Sequence, residues 1–138
     1  MPPFKTVYRV SWVDTDAAQV VHFSNYFRIF ERAEEEMYTR LGLSFNEIRK
    51  KYNFWLPRVE VLCKFKMPAR FGEELEVYLT VEEIMEKAVK YGFTVRNKQS
   101  EQLVAEGYIV IVAADMKLGH AVNIPKELAK KLETYKNP

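Results

Sequence analysis

The chain has 138 residues, which is enough for one domain with a substantial core but too few for two. We therefore expect a single domain over residues 1–138. Its hydrophobic fraction of 48% and aromatic fraction of 14% exclude a largely disordered chain. The 21 basic and 19 acidic side chains nearly cancel, so the charge gives no support to nucleic-acid binding.

Cysteine content and hydropathy indicate where the protein resides. Cys63 is the only cysteine, so the chain holds no internal disulfide, as is usual in a reducing compartment. No apolar run approaches the roughly 20 residues that cross a bilayer, and the first residues lack the pattern of a signal peptide. We therefore expect a cytoplasmic protein without membrane insertion.

The first third of the chain predicts a strand, a turn and a long helix. Alternation over residues 7–12 predicts the strand, and a polar turn follows at residues 14–19. From about Asn25 the apolar spacing becomes helical, and Gly42 stands where a left-handed residue would end that helix. The apolar stripe of the helix consists of Tyr26, Ile29, Phe30, Ala33, Met37 and Leu41.

The rest of the chain predicts strands between two short helices. Ser44 and Glu47 match a capping box, which predicts a short helix to about Tyr52. Another short helix is predicted from Pro125 to about Tyr135. Alternation with a period of two predicts four strands between them. They cover residues 59–65, 75–81, 89–95 and 103–114.

These elements predict an α+β fold in which an antiparallel sheet wraps around one long helix. A sheet with one buried face needs cover, and residues 25–41 form the only element long enough to provide it. Residues 103–114 are apolar on both faces in their second half, so we also expect cover on the outer side of the sheet. A partner subunit would provide it.

Two acids and a histidine lie between the first strand and the long helix. Asp14 and Asp16 stand just past the strand, and His22 stands shortly before the helix. Strand ends and helix starts present reactive side chains, and a helix start supplies unpaired backbone N–H groups. The segment therefore indicates an enzyme. On the residues alone, the interpretation that both acids simply cap a turn stands equally.

This segment resembles the hot dog fold acyl-CoA thioesterases of the 4-hydroxybenzoyl-CoA thioesterase type, including the Tol-Pal-associated bacterial members. Residues 68–77 are similar to that family's Pro-Ala…Gly-Asp…Leu-x-Val segment, and Ile124-Pro125 is similar to its closing motif. The likeness runs over about residues 6–128. The matching positions of the first motif are Asp14, Asp16, Val20, Val21, Asn25, Tyr26, Phe30, Glu31, Arg32 and Ala33.

The first motif departs from the family pattern at two places. The family usually has glycine at the position of Gln19, so we expect the loop here to avoid a conformation that only glycine tolerates. Many members have Tyr-His or an aromatic pair where this chain has His22-Phe23. His22 therefore sits one position away from the histidine of the Tol-Pal-associated members.

The resemblance implies a single hot dog domain that hydrolyses acyl-CoA. The CoA thioester is then the substrate, and no cofactor is needed. The resemblance also implies a homodimer or homotetramer whose active site lies between subunits. Asp14, Asp16 and His22 form no complete tetrahedral or facial ligand set, and no second cluster completes one, so we expect no metal.

The resemblance also implies roles for the residues of the loop. Asp16 would be the catalytic carboxylate, either as nucleophile on the thioester carbonyl or as general base for water. Asp14 would be the turn residue. A backbone N–H near Phe23, at the start of the helix, is the expected oxyanion donor, although an ordinary capped helix start is the alternative. His22 could orient water, bind the thioester or assist the leaving thiolate, or it could be an ordinary loop residue.

Five further residues are candidates for binding the substrate. Asn25 and Tyr26 belong to the family motif beside the loop. Arg58, Lys87 and Lys90 are candidates for the CoA phosphates, because basic side chains bind phosphate as point charges or forks. For each basic residue the alternative is a solvated position on a strand edge.

Two other functions remain open on the sequence. A hot dog hydratase or dehydratase acting on hydroxyacyl thioesters would pair an acid with a histidine, and Asp16 and His22 invite that comparison. A non-catalytic module would bind acyl-CoA without turnover. Release of free thiol separates the thioesterase from both alternatives.

Overall fold

A computed structural model describes residues 3–137 as a five-stranded sheet with a long helix against it and a separate two-stranded sheet. Its strands are β1 (Phe4–Arg9), β2 (Phe54–Trp55), β3 (Arg58–Phe65), β4 (Glu74–Ile84), β5 (Ala88–Asn97), β6 (Leu103–Val112) and β7 (Ala114–Asp115). Its helices are α1 (Asn25–Arg40), α2 (Phe45–Tyr52) and α3 (Lys126–Leu132). Short 3₁₀ turns lie at Trp12–Asp14 and Glu133–Tyr135.

The main sheet is antiparallel, in the order β1-β4-β5-β6-β3, and α1 packs on its inner face. The predicted stripe of α1 explains this packing, because residues three and four apart lie on one side of a helix. Phe30, Ala33 and Met37 are fully buried, and the Phe30 ring stacks on Phe93 of β5 with 4.4 Å between ring centroids. The α+β arrangement of a sheet around one helix is therefore confirmed.

The local signals around α2 are also confirmed. The Ser44 hydroxyl accepts the Glu47 backbone N–H, and the Glu47 carboxylate accepts the Ser44 backbone N–H, as in a capping box. Asn53 ends the helix in the left-handed conformation. No helix in residues 3–137 is long and apolar enough to cross a membrane.

The predicted first strand is misplaced. The strand spans Phe4–Arg9, and Trp12 lies in a 3₁₀ turn with 79% of its surface exposed. The Asp14 carboxylate accepts the Ser11 backbone N–H at 2.8 Å and so favours a turn over a strand pairing. Alternation of side chains alone could not reveal that hydrogen bond.

The end of the chain differs from prediction in two details. The predicted strand 103–114 is divided, because the Ala113 N–H leaves the ladder to donate to the Lys87 carbonyl, and β7 then pairs with β2. The last helix begins after Pro125, which is its N-cap, and ends in a 3₁₀ turn. The expected cover on the outer side of the sheet stays a prediction.

A buried ion pair joins α1 to the edge strand β3. The Glu34 carboxylate is fully buried, and Arg58 binds both of its oxygens, at 2.5 Å and 3.2 Å. Burial raises the pKa of Glu34 to about 7, and the Arg58 guanidinium opposes that rise. Because this folded-state pKa lies above the ordinary 4.5, the contribution of Glu34 to stability is full below about pH 4.5 and is lost as the pH rises through 7.

We expect Arg58→Met to lower the free energy of unfolding by about 3 kcal/mol at pH 8, because it leaves a buried carboxylate unpaired. At pH 5 the loss should be smaller, since Glu34 can then bind a proton and remain neutral. Urea denaturation at the two pH values measures both effects. Glu31→Gln is the control: Glu31 is exposed, lies 3.4 Å from Arg58, and should change stability by less than about 0.5 kcal/mol. Equal losses for Arg58→Met at both pH values would contradict the assignment.

Candidate active site

The segment between β1 and α1 folds back on itself as a tight loop. Thr15 pairs with Val21, the Asp16 N–H donates to the Val20 carbonyl at 3.1 Å, and the Gln19 N–H donates to the Asp16 carbonyl at 2.8 Å. The Val21 N–H also donates to the Ala69 carbonyl at 2.8 Å, which anchors the loop to the segment before β4. The backbone around Asp16 is thus fixed from both sides.

Gln19 contradicts one expectation. Its φ is +66°, so it occupies the left-handed region that the glycine of the family would adopt without strain. The expectation that this loop avoids such a conformation is wrong. The closing hydrogen bond from the Gln19 N–H to Asp16 requires the sharp turn, and a residue without branching at Cβ tolerates it at a modest cost.

Asp16 presents one carboxylate oxygen to solvent. Its Oδ1 accepts the Ala18 N–H at 2.8 Å, which is the turn-capping contact that the alternative interpretation expects. Its Oδ2 has no hydrogen-bond partner among residues 3–137, and the side chain is exposed. The turn contact holds the carboxylate in one orientation while one oxygen stays available for chemistry.

Asp14 has the structural role that the sequence predicts. Its side chain is 7% exposed, and its Oδ2 accepts the Ser11 N–H and the hydroxyl of Tyr8, the latter at 2.6 Å. Its carbonyl accepts the His22 N–H at 2.9 Å and the Asn25 side-chain amide at 2.8 Å. The sequence gives no signal for this role of Tyr8, because no local pattern links a strand residue to a turn six positions later.

The start of α1 offers a free donor beside this loop. The Asn25 N–H donates to the His22 carbonyl at 2.9 Å, whereas the Phe23 N–H has no hydrogen-bond partner among residues 3–137. Helix starts carry unpaired N–H groups and a partial positive charge, both of which suit an oxyanion. The Phe23 side chain is 63% exposed and takes no part in this arrangement.

His22 contacts its own neighbour and not Asp16. Its Nδ1 lies 2.8 Å from the Ser24 hydroxyl and accepts the Ser24 N–H at 3.3 Å. These contacts fit the tautomer that carries its proton on Nε2. No hydrogen bond joins His22 to Asp16 in the part of the chain that the structure describes.

Asn25 and Tyr26 lie in the first turn of α1 beside the loop, as predicted, but both side chains already contact other residues of the chain. The Asn25 amide is bound to the Asp14 carbonyl, as described above. The Tyr26 side chain is buried, and its ring lies 5.4 Å from the ring of Phe65 at the end of β3. Burial raises the pKa of Tyr26 to about 12. Their direct contact with substrate stays a prediction.

The three basic candidates do not lie near Asp16 within one chain. Arg58 begins β3 and is bound to Glu34, while Lys87 lies in the hairpin between β4 and β5, at the far end of the sheet from the loop. Lys90 faces outward, and its Nζ lies 3.6 Å from the Glu82 carboxylate and 4.3 Å from the centre of the Tyr108 ring. The two ends of β3 are seven residue-to-residue steps apart, which is about 23 Å. A second subunit is needed to bring Arg58 or Lys87 to the loop.

A cavity of about 320 Å³ lies beside the start of β3. Its lining combines aromatic and aliphatic side chains with charged side chains. The lining residues are Glu31, Glu35, Phe45, Asn46, Ile48, Arg49, Phe54, Trp55, Leu56 and Arg58. Residues 3–137 contain no group of three His, Cys, Asp or Glu side chains that could hold a metal ion.

Comparison with known proteins identifies the family. A family model described as the thioesterase-like superfamily matches residues 10–132. The chain belongs to the thioesterase-like superfamily. The 1,4-dihydroxy-2-naphthoyl-CoA hydrolase of Prochlorococcus marinus (strain MIT 9303) is 30% identical over 131 residues, which cover 90% of this chain and 85% of the relative.

Solved structures of the superfamily have the same fold. A gentisyl-coenzyme A thioesterase is 25% identical, with a TM-score of 0.83 over 93% of this chain and 98% of the other. A 1,4-dihydroxy-2-naphthoyl-CoA thioesterase from Synechocystis is 24% identical, with a TM-score of 0.89 over 98% of each chain, and shows the fold alone. The predicted hot dog fold is confirmed, as is the predicted class of enzyme, a thioesterase.

Because Gln19 has a positive φ, we expect two substitutions of this residue to have very different effects on the stability of this thioesterase-like protein. We expect Gln19→Val to lower the free energy of unfolding by about 1–2 kcal/mol, because a β-branched residue is strained at positive φ. Gln19→Gly should change it by less than about 0.5 kcal/mol, since relief of strain offsets the greater freedom of the unfolded chain. Denaturant midpoints measure both. Ala18→Val is the control at an exposed neighbour without positive φ, and a loss equal to that of Gln19→Val would contradict the explanation.

Proposed function

We propose that this protein hydrolyses acyl-CoA thioesters to the free acid and CoA, with Asp16 as the catalytic carboxylate. The observation that carries this proposal is the free Oδ2 of Asp16 in a loop that also presents the unpaired N–H of Phe23. A thioesterase needs a carboxylate near the carbonyl carbon and a donor for the oxygen that becomes negative. The family membership supports both roles.

As general base, Asp16 takes a proton from water while the water oxygen bonds to the thioester carbonyl carbon. The C–S bond then breaks, and the CoA thiolate leaves and takes up a proton. As nucleophile, Asp16 would bond to the carbonyl carbon, the C–S bond would break to release the CoA thiolate, and water would hydrolyse the mixed anhydride that remains. After a single turnover in ¹⁸O-labelled water, a product acid without ¹⁸O indicates the nucleophilic route, because its second oxygen then comes from Asp16 after water has attacked the Asp16 carbonyl of the anhydride.

The Phe23 N–H and the start of α1 would hold the oxyanion of the tetrahedral intermediate. Backbone donors fixed in advance stabilise charge that develops only in the transition state. His22 lies between the two groups in sequence, and its Nε2 is not used by Ser24. It is therefore placed to bind water or the departing sulfur, without a direct contact to Asp16.

The same proposal includes a homodimer that forms through β3. One edge of β3 pairs with β6, and the other edge is free within residues 3–137. Val61 and Phe65 lie on the helix side of this strand and are 44% and 52% exposed, and Val59, at a register shift between Arg58 and Glu60, is 60% exposed. Free strand edges and exposed apolar patches of this kind favour association with another chain.

Twofold pairing of β3 would complete the site. A symmetric dimer pairs the two copies of β3 in antiparallel fashion, so the start of one strand lies beside the end of the other. Phe65 at the end of β3 contacts the rings of Phe23 in the loop and Tyr26 in the first turn of α1, whereas Arg58 and the cavity lie at the start of β3. The loop of each subunit would therefore face the cavity of its partner.

The cavity supports an aromatic acyl group. Phe45, Phe54 and Trp55 supply flat apolar walls, and the basic residues Arg49 and Arg58 also line the cavity. Relatives named for 1,4-dihydroxy-2-naphthoyl-CoA and gentisyl-CoA support the same class of substrate. The lone Cys63 agrees with the cytoplasmic location that we propose.

We expect Asp16→Asn to lower kcat at least about 100-fold on the best substrate of a panel of aromatic and aliphatic acyl-CoAs. The amide keeps the shape of the turn but cannot accept a proton or attack a carbonyl. Thiol release, followed with a thiol reagent, is the measurement.

Asp115→Asn is the matched control for that experiment. Asp115 is half-buried and, like Asp16, accepts a backbone N–H from two residues later, at 2.9 Å, but it lies outside the loop. It should leave kcat within about twofold. Undiminished turnover by Asp16→Asn would exclude the mechanism. Binding of acyl-CoA without thiol release by the wild type would indicate a non-catalytic module, and loss of enoyl-CoA absorbance without thiol release would indicate a hydratase.

We expect Val61→Lys to shift the protein from dimer to monomer, because it places a charge in the middle of the proposed interface. Hydrolytic activity should fall in parallel, since the site needs both subunits. Sedimentation at micromolar concentration and thiol release measure the two effects. Val7→Lys is the control, because Val7 lies on the other edge strand with a similar exposure of 42% against 44% for Val61. A wild-type monomer with full activity would contradict the dimeric site.

A further inference from the structure

Tyr8 is a residue of the sheet that is linked to the catalytic loop through a buried carboxylate. Its hydroxyl donates to Asp14 Oδ2 at 2.6 Å, and the Ser11 N–H donates to the same oxygen at 2.8 Å. Asp14 is 7% exposed, so these charge-assisted hydrogen bonds are largely shielded from water. The rigid strand β1 therefore contributes, through Tyr8, to setting the position of Asp14.

The main chain of Asp14 in turn holds the other end of the loop. Its carbonyl accepts the His22 N–H at 2.9 Å and the Asn25 side-chain amide at 2.8 Å. Asp16 follows two residues after Asp14, and the free N–H of Phe23 follows one residue after His22. The Asp16 carboxylate and the Phe23 N–H therefore each lie within two residues of a position that Asp14 fixes.

We propose that Tyr8 is a positioning residue for catalysis, which acts through Asp14 to fix Asp16 relative to the Phe23 N–H. Asp16 itself is exposed, and packing does not hold its side chain. A misplacement of about 1 Å between reacting groups costs up to about 100-fold in rate, so the loop needs an external support. This inference rests on the proposed thioesterase function.

The surroundings of Tyr8 keep its hydroxyl in place as a donor. The Arg32 guanidinium on α1 lies 5.5 Å from the centre of the Tyr8 ring, a cation–π contact that fixes the plane of the ring. Burial raises the pKa of Tyr8 to about 12, and the hydrogen bond to Asp14 adds to the rise. The hydroxyl therefore stays protonated across the neutral range.

The test is Tyr8→Phe, which removes one oxygen atom and keeps the ring. We expect kcat to fall about tenfold with KM within twofold, because the groups that act in the transition state move while binding surfaces do not. Tyr78→Phe is the matched control: the Tyr78 hydroxyl also donates to a carboxylate, Glu76 Oε1 at 3.2 Å, but on the outer face of β4. Melting temperatures of the two variants separate lost stability from lost positioning.

A second variant keeps the test decisive if Tyr8→Phe does not fold. Asn25→Ala removes the side-chain hydrogen bond between the start of α1 and the Asp14 carbonyl and should also lower kcat. If both variants fold, the fall in kcat of the double variant should be smaller than the product of the two single falls, because both substitutions act through Asp14.

Two outcomes would overturn the inference. The first is a fall in kcat for Tyr8→Phe no larger than that for Tyr78→Phe. The second is a loss confined to KM, which would indicate contact with substrate instead. The Asp16→Asn variant distinguishes failure of this inference from failure of the proposed function, because only the latter leaves Asp16→Asn fully active.

Discussion

The burial of α1 against the inner face of the sheet is the constraint on which the other features depend. Phe30, Ala33 and Met37 have no exposed surface, so the helix has one possible rotation about its axis. That rotation directs Glu34 towards β3 and Arg32 towards β1. It also places the first turn of α1 at the end of the sheet where β1 and β3 both finish, and the loop that carries Asp16 lies there.

Most helices and strands could be predicted from the sequence because the patterns that indicate them are local. The apolar spacing of α1, the capping box at Ser44 and the alternation along β4 and β5 each depend on residues a few positions apart. The first strand was misplaced for the same reason. Its end depends on a hydrogen bond from the Ser11 N–H to Asp14, whose carboxylate is in turn fixed by Tyr8, and periodicity does not report such contacts.

The candidate site was predictable only in part. The family pattern identified Asp16 and the start of α1, and the structure places them in one loop with a free oxygen and a free N–H. The basic residues could not be assigned from sequence, because their usefulness depends on distance. Arg58 and Lys87 lie at the opposite end of the sheet from Asp16, and only the arrangement of two chains decides whether they reach the substrate.

The left-handed turn at Gln19 has a consequence for how the loop responds to heat. Glycine at this position would lose much conformational entropy on folding, and that loss grows in free energy as the temperature rises. Glutamine samples fewer conformations in the unfolded chain, and its penalty in the turn is mainly steric strain, which is an enthalpy. The ordering of the loop around Asp16 is therefore less temperature-dependent than a glycine turn would make it. A change of one residue in the turn exchanges an entropic cost for an enthalpic one.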